Sequence, residues 1–170
     1  MNEKSLRVLE FNKIIDKLKT KASSSLGLKH IENLKPSNDF DEVKNTLLET
    51  SEAQAILIKR GLVSMDGIHD IEDKAKRAHV GATLDPGALL KIADCLRVAR
   101  SLKRNLEGSE EEDFNYPIIQ ALTNALYTFR DIEDRIYTSI VGESEISDNA
   151  STTLKTIRRR IVQNNQSIRS

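Results

Sequence analysis

Apolar residues recur three and four positions apart along most of the chain, a spacing that places them on one face of an α-helix. The first such stripe runs from Phe11 to Ala22. The second runs from Leu28 to Leu34 and stops at Pro36, a residue that cannot continue a helix. Because no stretch alternates apolar and polar residues over a useful length, the pattern predicts an all-α, irregular multi-helix bundle.

Capping residues mark the two longest predicted helices. Asp39 followed by Glu42 resembles a capping box, and Gly61 suits the end of the same helix because glycine tolerates a positive φ. Asp85 and Pro86 fit the N-cap and the first turn of the other helix. We predict that this second helix buries an apolar stripe made of Leu89, Ile92, Ala93, Leu96, Ala99, Leu102 and Leu106.

The remaining predicted elements are shorter. They comprise helices at residues 71–78, 116–128 and 129–141, and loops at residues 62–67, 107–113 and 142–149. The loop at 107–113 is acidic and is interrupted by Gly108 and Ser109. Ile132, Ile136 and Ile140 lie four positions apart on the last of these helices and mark its apolar face.

The last helix, predicted from about Ala150, has a narrower apolar stripe than the others. Its members follow the a/d pattern of a coiled coil and are called the seam: Leu154, Ile157, Ile161, Asn164 and Ile168. A stripe this narrow favours pairing with one partner helix, and a polar Asn within it fixes the register of pairing. We therefore expect a core at residues 1–149, a protruding coiled-coil arm that begins at residues 150–170, and a natural protein that continues past 170.

Charge is balanced over the chain, with 26 basic and 26 acidic residues, so net charge gives no support for a dedicated nucleic-acid-binding protein. The last helix differs, because residues 151–170 contain five basic residues and no acid. Lys155, Arg158, Arg159 and Arg160 either contact the phosphates of a nucleic acid or flank a coiled coil and await acids on the partner strand. Both interpretations remain open.

No catalytic, cofactor-binding or metal site is predicted. The sequence lacks the G-x-x-x-x-G-K-[ST] phosphate loop, and none of His30, His69 and His79 lies four positions from another His or Cys. Cys95, the single cysteine, is expected to be a small buried apolar residue. Three features favour a cytoplasmic protein without a membrane partner. The chain has a single cysteine, its start lacks a signal-peptide pattern, and it contains no long apolar run.

Five short motifs, in order, resemble the opening of MutS-family ATPases of the second bacterial type. They are L-E-F-x-K-I at residues 9–14, A-S-S-x-x-G with L-K-P at 22–36, G-I-x-D-I with R-A and G at 67–81, L-x-P with L-L-x-I-A-D at 84–94, and D-x-A-S-x-x-L with I-R-R at 148–159. The resemblance covers nearly the whole chain. The chain departs from the family at Thr152, Thr153 and the Asn-rich stretch that follows, where the family often carries acids.

The resemblance implies a role for each part of the chain. Residues 1–149 would form a MutS core-like domain and residues 150–170 the start of a lever, coupling a downstream ATPase to a clamp. The parent protein would be a homodimer that uses ATP and Mg²⁺ and carries an Smr endonuclease domain. It would engage branched DNA or a ribosome and its RNA, suppressing homologous recombination or rescuing collided ribosomes.

An alternative from another class is a free-standing helical module that binds a partner helix along the seam and has no link to an ATPase. Direct binding of nucleic acid by this chain alone is a third interpretation, which the balanced charge disfavours.

Overall fold

The computed structural model describes residues 3–61, 64–106 and 116–169. In this part of the chain, helices dominate and the only strands form one short hairpin. The helices are α1 Glu3–Val8, α2 Phe11–Lys19, α3 Ser25–Glu32, α4 Phe40–Arg60, α5 Glu72–His79, α6 Pro86–Leu106, α7 Pro117–Asn124, α8 Arg130–Ser139 and α9 Thr152–Arg169. The hairpin pairs β1 Ile140–Gly142 with β2 Glu145–Ile146, and a 3₁₀ turn follows at Asp148–Ala150. The predicted all-α class is confirmed.

The described residues form two compact units. Unit 1 comprises Met1–Asp70 and Val98–Thr128 and contains α1 to α4, the last turns of α6, and α7. In this unit α1 packs against α2, α2 against α3, and α4 against α7. Ile56 of α4 and Thr123 of α7 are buried, so the α4–α7 pair supplies part of the interior of unit 1.

Unit 2 comprises Ile71–Arg97 and Phe129–Ser170. It contains α5, the first turns of α6, α8, the hairpin, the 3₁₀ turn and α9. Its core is the buried cluster of Ala93, Ile136 and Ile140, with Leu89, Leu90 and Ile92 packed against it. The expected boundary between the core and the coiled-coil arm, at residues 149 and 150, stays a prediction.

The predicted ends of α4 are found in the structure. The Asp39 carboxylate accepts hydrogen bonds from the N–H groups of Asp41 and Glu42, at 2.9 and 3.0 Å, and Gly61 ends the helix with a φ of 80°. The reciprocal half of a capping box is not formed. Instead, the Glu42 carboxylate accepts from the Ser37 hydroxyl, whose oxygen accepts from the Asp39 N–H at 3.2 Å.

The start of α6 is also as predicted, whereas its buried stripe is only partly so. Asp85 accepts a hydrogen bond from the Ala88 N–H at 2.8 Å. Ala93 is fully buried, but the other six residues of the predicted stripe are half-buried. Ala88 and Val98, which the prediction left out, are buried instead. Val98 lies one helical turn before Leu102, so both residues are on the same face of the later turns of α6.

Two short elements depart from the prediction. The helix expected over residues 129–141 ends at Ser139, and Ile140 begins strand β1 while its side chain still reaches the core. Ile140 and Val141 are β-branched, which favours an extended backbone. At the other end of the chain, the structure has an additional helix, α1, before α2. The two helices are separated at Glu10, which has a φ of 56°. The acidic loop at 107–113 and residues 62–63 lie outside the described residues.

Candidate functional site

Two successive hydroxyl caps set the start of α9. The Ser147 hydroxyl accepts a hydrogen bond from the Asn149 N–H at 3.1 Å and begins the 3₁₀ turn. Four residues later, the Ser151 hydroxyl accepts from the Leu154 N–H at 3.0 Å. Serine suits an N-cap because its short hydroxyl satisfies an N–H group that has no partner inside the helix. These caps determine where α9 begins.

Two basic side chains tie the first turns of α9 to the preceding hairpin and turn. The Arg158 guanidinium donates to the Ile146 carbonyl at 2.9 Å and forms an ion pair with the Asp148 carboxylate. The Lys155 ammonium donates to the Asn149 side-chain oxygen at 3.2 Å. Two of the four predicted phosphate contacts therefore have partners within unit 2.

The other two basic residues of the predicted nucleic-acid contact are exposed. Neither Arg159 nor Arg160 forms an ion pair with an acid in residues 3–61, 64–106 or 116–169. Lys155, Arg158 and Arg159 line one shallow groove, from which Arg160 is absent. The structure thus brings three of the four predicted contacts together and places the fourth elsewhere on α9.

The predicted seam lies along α9 and is largely uncovered. Leu154 is half-buried, whereas Ile157 and Ile161 are 49% and 53% exposed and Ile168 is 81% exposed. Asn164 is exposed as well, as is every residue from Arg159 to Ile168. Because the burial of isoleucine side chains away from water is favourable in free energy, this stripe has the chemistry of a surface that binds another helix.

The sequence did not predict an apolar groove in unit 1. It has a volume of about 310 Å³ and lies among α4, α6 and α7. Residues that line it include Ile56, Leu57, Met65, Leu102, Ile119 and Leu122. Of these residues, only Leu102 belonged to a predicted apolar stripe, and Met65 falls in the predicted loop at 62–67. Periodicity does not reveal which helix faces their neighbours leave uncovered.

Several features bear on other kinds of site. Cys95 is half-buried, and not buried as the sequence predicted. In the described part of the chain, no group of three His, Cys, Asp or Glu side chains is placed to hold a metal ion. None of the described helices combines the length and apolar character that a bilayer-spanning helix requires.

Comparison with known proteins identifies the family, although no protein-family model matches the chain. Endonuclease MutS2 of Clostridioides difficile (strain 630) is 71% identical over 170 residues, which is 100% of this chain and 22% of that protein. The chain belongs to the MutS2 family. Endonuclease MutS2 of Acetivibrio thermocellus is 48% identical over 169 residues, and that of Alkaliphilus oremlandii is 46% identical over 170. These matches cover 99% and 100% of this chain and 21% of each relative.

The predicted resemblance to MutS proteins of the second bacterial type is thereby confirmed. The chain spans about a fifth of the length of the MutS2 relatives it matches. The name of those relatives describes a nuclease activity of much longer proteins, so it does not by itself assign that activity to the residues of this chain.

Proposed function

We propose that this chain is the N-terminal core and lever region of a MutS2 protein and couples a downstream ATPase to a clamp. The clamp would engage DNA or a ribosome. The proposal is supported by family membership and by a fold of packed helices, which move as stiff bodies. In this account, the chain transmits motion and performs no reaction.

The observation that carries the proposal is the contrast between the two parts of α9. Its first turns are held by Arg158 and Lys155, whereas residues 159–168 are exposed. An 18-residue helix is about 27 Å long at 1.5 Å per residue. A stiff rod that is fixed at its root and exposed over the remainder can carry a displacement from one body to another.

Catalysis in the parent protein belongs to other domains in this proposal. An ATPase domain would bind ATP and Mg²⁺, and an Smr domain would supply the nuclease. The parent would act in the cytoplasm as a homodimer, suppressing homologous recombination or rescuing collided ribosomes. Within this chain, the groove of α9 lined by Lys155, Arg158 and Arg159 is the candidate contact for a nucleic acid held by the clamp.

Two inserts in the full-length protein test whether the stiffness of α9 matters. A seven-residue Gly-Ser insert after Asn165 makes the arm flexible, and a seven-residue helix-forming insert at the same place preserves both stiffness and seam register. We expect the flexible insert to abolish the effect of bound nucleic acid on ATP turnover, while turnover without nucleic acid stays unchanged. The helical insert retains that effect. Equal stimulation of ATP turnover in both variants would contradict the proposal.

A further inference from the structure

We propose that Asp148 is a built-in competitor for the basic groove of α9. Its carboxylate occupies the Arg158 guanidinium until a phosphodiester group of a bound nucleic acid takes its place. The inference rests on the proposed function, in which this groove is the candidate contact for nucleic acid. It goes further in assigning a regulatory contact at that groove to an acid that precedes α9 in the chain.

The groove runs beside α9 and has a volume of about 540 Å³. Lys155, Arg158 and Arg159 bring positive charge to it, and Asp148 is the acid among the described residues that line it. Lys155 lies three and four positions before the two arginines, so the three cations share about one helical turn. All of these residues belong to unit 2, and the groove is therefore part of one compact body.

Two contacts hold the Arg158 guanidinium, and both are made by its Nη1 atom. It donates to the Ile146 carbonyl at 2.9 Å and is paired with the Asp148 carboxylate. A guanidinium carries further N–H donors on Nε and Nη2, whose geometry matches the oxygens of a phosphate. Because the Ile146 carbonyl is a neutral acceptor, it can keep Arg158 at the hairpin while the charged partner is exchanged.

The ion pair between Arg158 and Asp148 is exposed enough to be exchanged. The two side chains are 41% and 62% exposed. An ion pair in contact with water contributes little to stability, because both ions are well hydrated when they separate. A nucleic acid offers Arg158 an anion of the same charge and offers neighbouring phosphates to the other two cations of the groove. Exchange therefore favours the nucleic acid, with an affinity that Asp148 lowers.

The other lining residues identify Asp148 as the group that sets the charge of the groove. The Lys155 ammonium donates to the Asn149 side-chain oxygen at 3.2 Å, a neutral acceptor that positions the ammonium and leaves its charge uncompensated. Val162 supplies apolar lining. One such side chain gives an acidic peptide helix little surface to bury, so the groove suits a phosphate backbone better.

Site-specific photo-crosslinking in the full-length protein reports on this groove separately from other parts that bind nucleic acid. A benzophenone amino acid replaces Gln163, which lines the groove, and the probes are a fluorescent DNA four-way junction and a fluorescent RNA hairpin. The measured quantity is the nucleic-acid concentration that gives half-maximal cross-linking. We expect Asp148→Asn to lower this concentration about fivefold at low ionic strength, the range of one exposed ion pair. The gain should shrink as salt is added.

Two further variants show whether the gain comes from releasing Arg158. Glu145→Gln removes the same charge from an exposed residue of β2 that is not among those lining the groove, and it should leave the concentration unchanged. In an Arg158→Gln background, Asp148→Asn should have less than about a twofold effect, because the guanidinium that the carboxylate occupies is gone. A gain in affinity cannot come from misfolding, so Asp148→Asn decides the matter even if Arg158→Gln is unstable.

Equal effects of Asp148→Asn and Glu145→Gln would overturn the inference, as would a full gain that persists without Arg158. A gain with one probe alone supports the inference and identifies DNA or RNA as the source of the phosphodiester. The absence of a cross-link to either probe would also overturn it, and tighter binding of polyglutamate by Asp148→Asn would then assign the groove to an acidic protein. Failure of the lever mechanism is distinguishable, because the gain from Asp148→Asn would persist while the seven-residue inserts showed no difference in coupling.

Discussion

At the scale of single residues, the fold changes the pKa of Tyr137. Its hydroxyl donates a hydrogen bond to the Asp94 carboxylate at 2.7 Å. Burial raises the pKa of Tyr137 above its ordinary value of 10.0, and the hydrogen bond to Asp94 raises it further, while Arg97 opposes both. Because folding raises this pKa, the associated stability is fully present below pH 10 and is lost as pH rises through the folded-state pKa.

A titration of phenol absorbance tests this shift. In the folded chain, we expect Tyr137 to ionise above pH 10.0 and the Tyr137→Phe variant to lack that transition. Asp94→Asn should lower the pKa of Tyr137, since it removes the negative charge that disfavours the phenolate. Tyr127→Phe, at a largely exposed site, is the matched control and should leave the late transition in place. Persistence of that transition in Tyr137→Phe would refute the assignment.

At the scale of elements, α7 depends on α4 for its N-terminal cap. Tyr116 precedes α7 and makes no side-chain cap. The Glu52 carboxylate of α4 instead accepts hydrogen bonds from the N–H groups of Ile118 and Ile119, each at 2.9 Å. A carboxylate also suits the positive end of the helix dipole. The Glu52 side chain therefore caps α7 and also connects α7 to α4.

Removing this cap should destabilise unit 1. We expect Glu52→Ala to lower the free energy of unfolding by about 1–3 kcal/mol, because two N–H groups lose a charged acceptor. Glu52→Gln keeps an acceptor oxygen and should cost less. Urea unfolding followed by circular dichroism measures both, with the exposed Glu49→Ala as a control of the same residue type. If Glu52→Ala and Glu49→Ala had equal effects, the capping role would be wrong.

Local chemistry explains which elements the sequence predicted. Asp39 and Asp85 cap α4 and α6 as expected, because an N-cap depends on residues a few positions apart. Glu52 caps two residues that lie 66 and 67 positions further along the chain. No local sequence pattern reveals such a contact. The partial exposure of Cys95 likewise depends on tertiary packing.

The candidate site was predicted to a similar extent. The spacing of the seam and the concentration of basic residues on α9 are sequence features, and the structure places both on one continuous helix. The pairing of Arg158 with Asp148 was not predicted, because it requires the 3₁₀ turn to direct Asp148 toward α9. This contact distinguishes Arg158 from Arg159 and Arg160, whereas the sequence alone offers no reason to treat the three arginines differently.

At the scale of the whole molecule, the chain is largely helical and is similar to one part of longer MutS2 proteins. Its relatives match it along essentially all of its length, while it spans about a fifth of theirs. The exposed seam and the exposed Arg159 and Arg160 give α9 a surface that suits binding to a partner. The proposed function is mechanical, because it requires α9 to move as an arm when the nucleotide state of the parent protein changes.

The most direct test is a distance measurement between spin labels in the full-length protein. One label is placed at Gln163 of α9 and the other on the ATPase domain, and a second pair at Gln163 and Lys91 reports on unit 2 alone. We expect the first distance to change between the nucleotide-free and ATP-bound states while the second stays constant. A first distance that is the same without nucleotide, with ATP and after hydrolysis would contradict the proposed function.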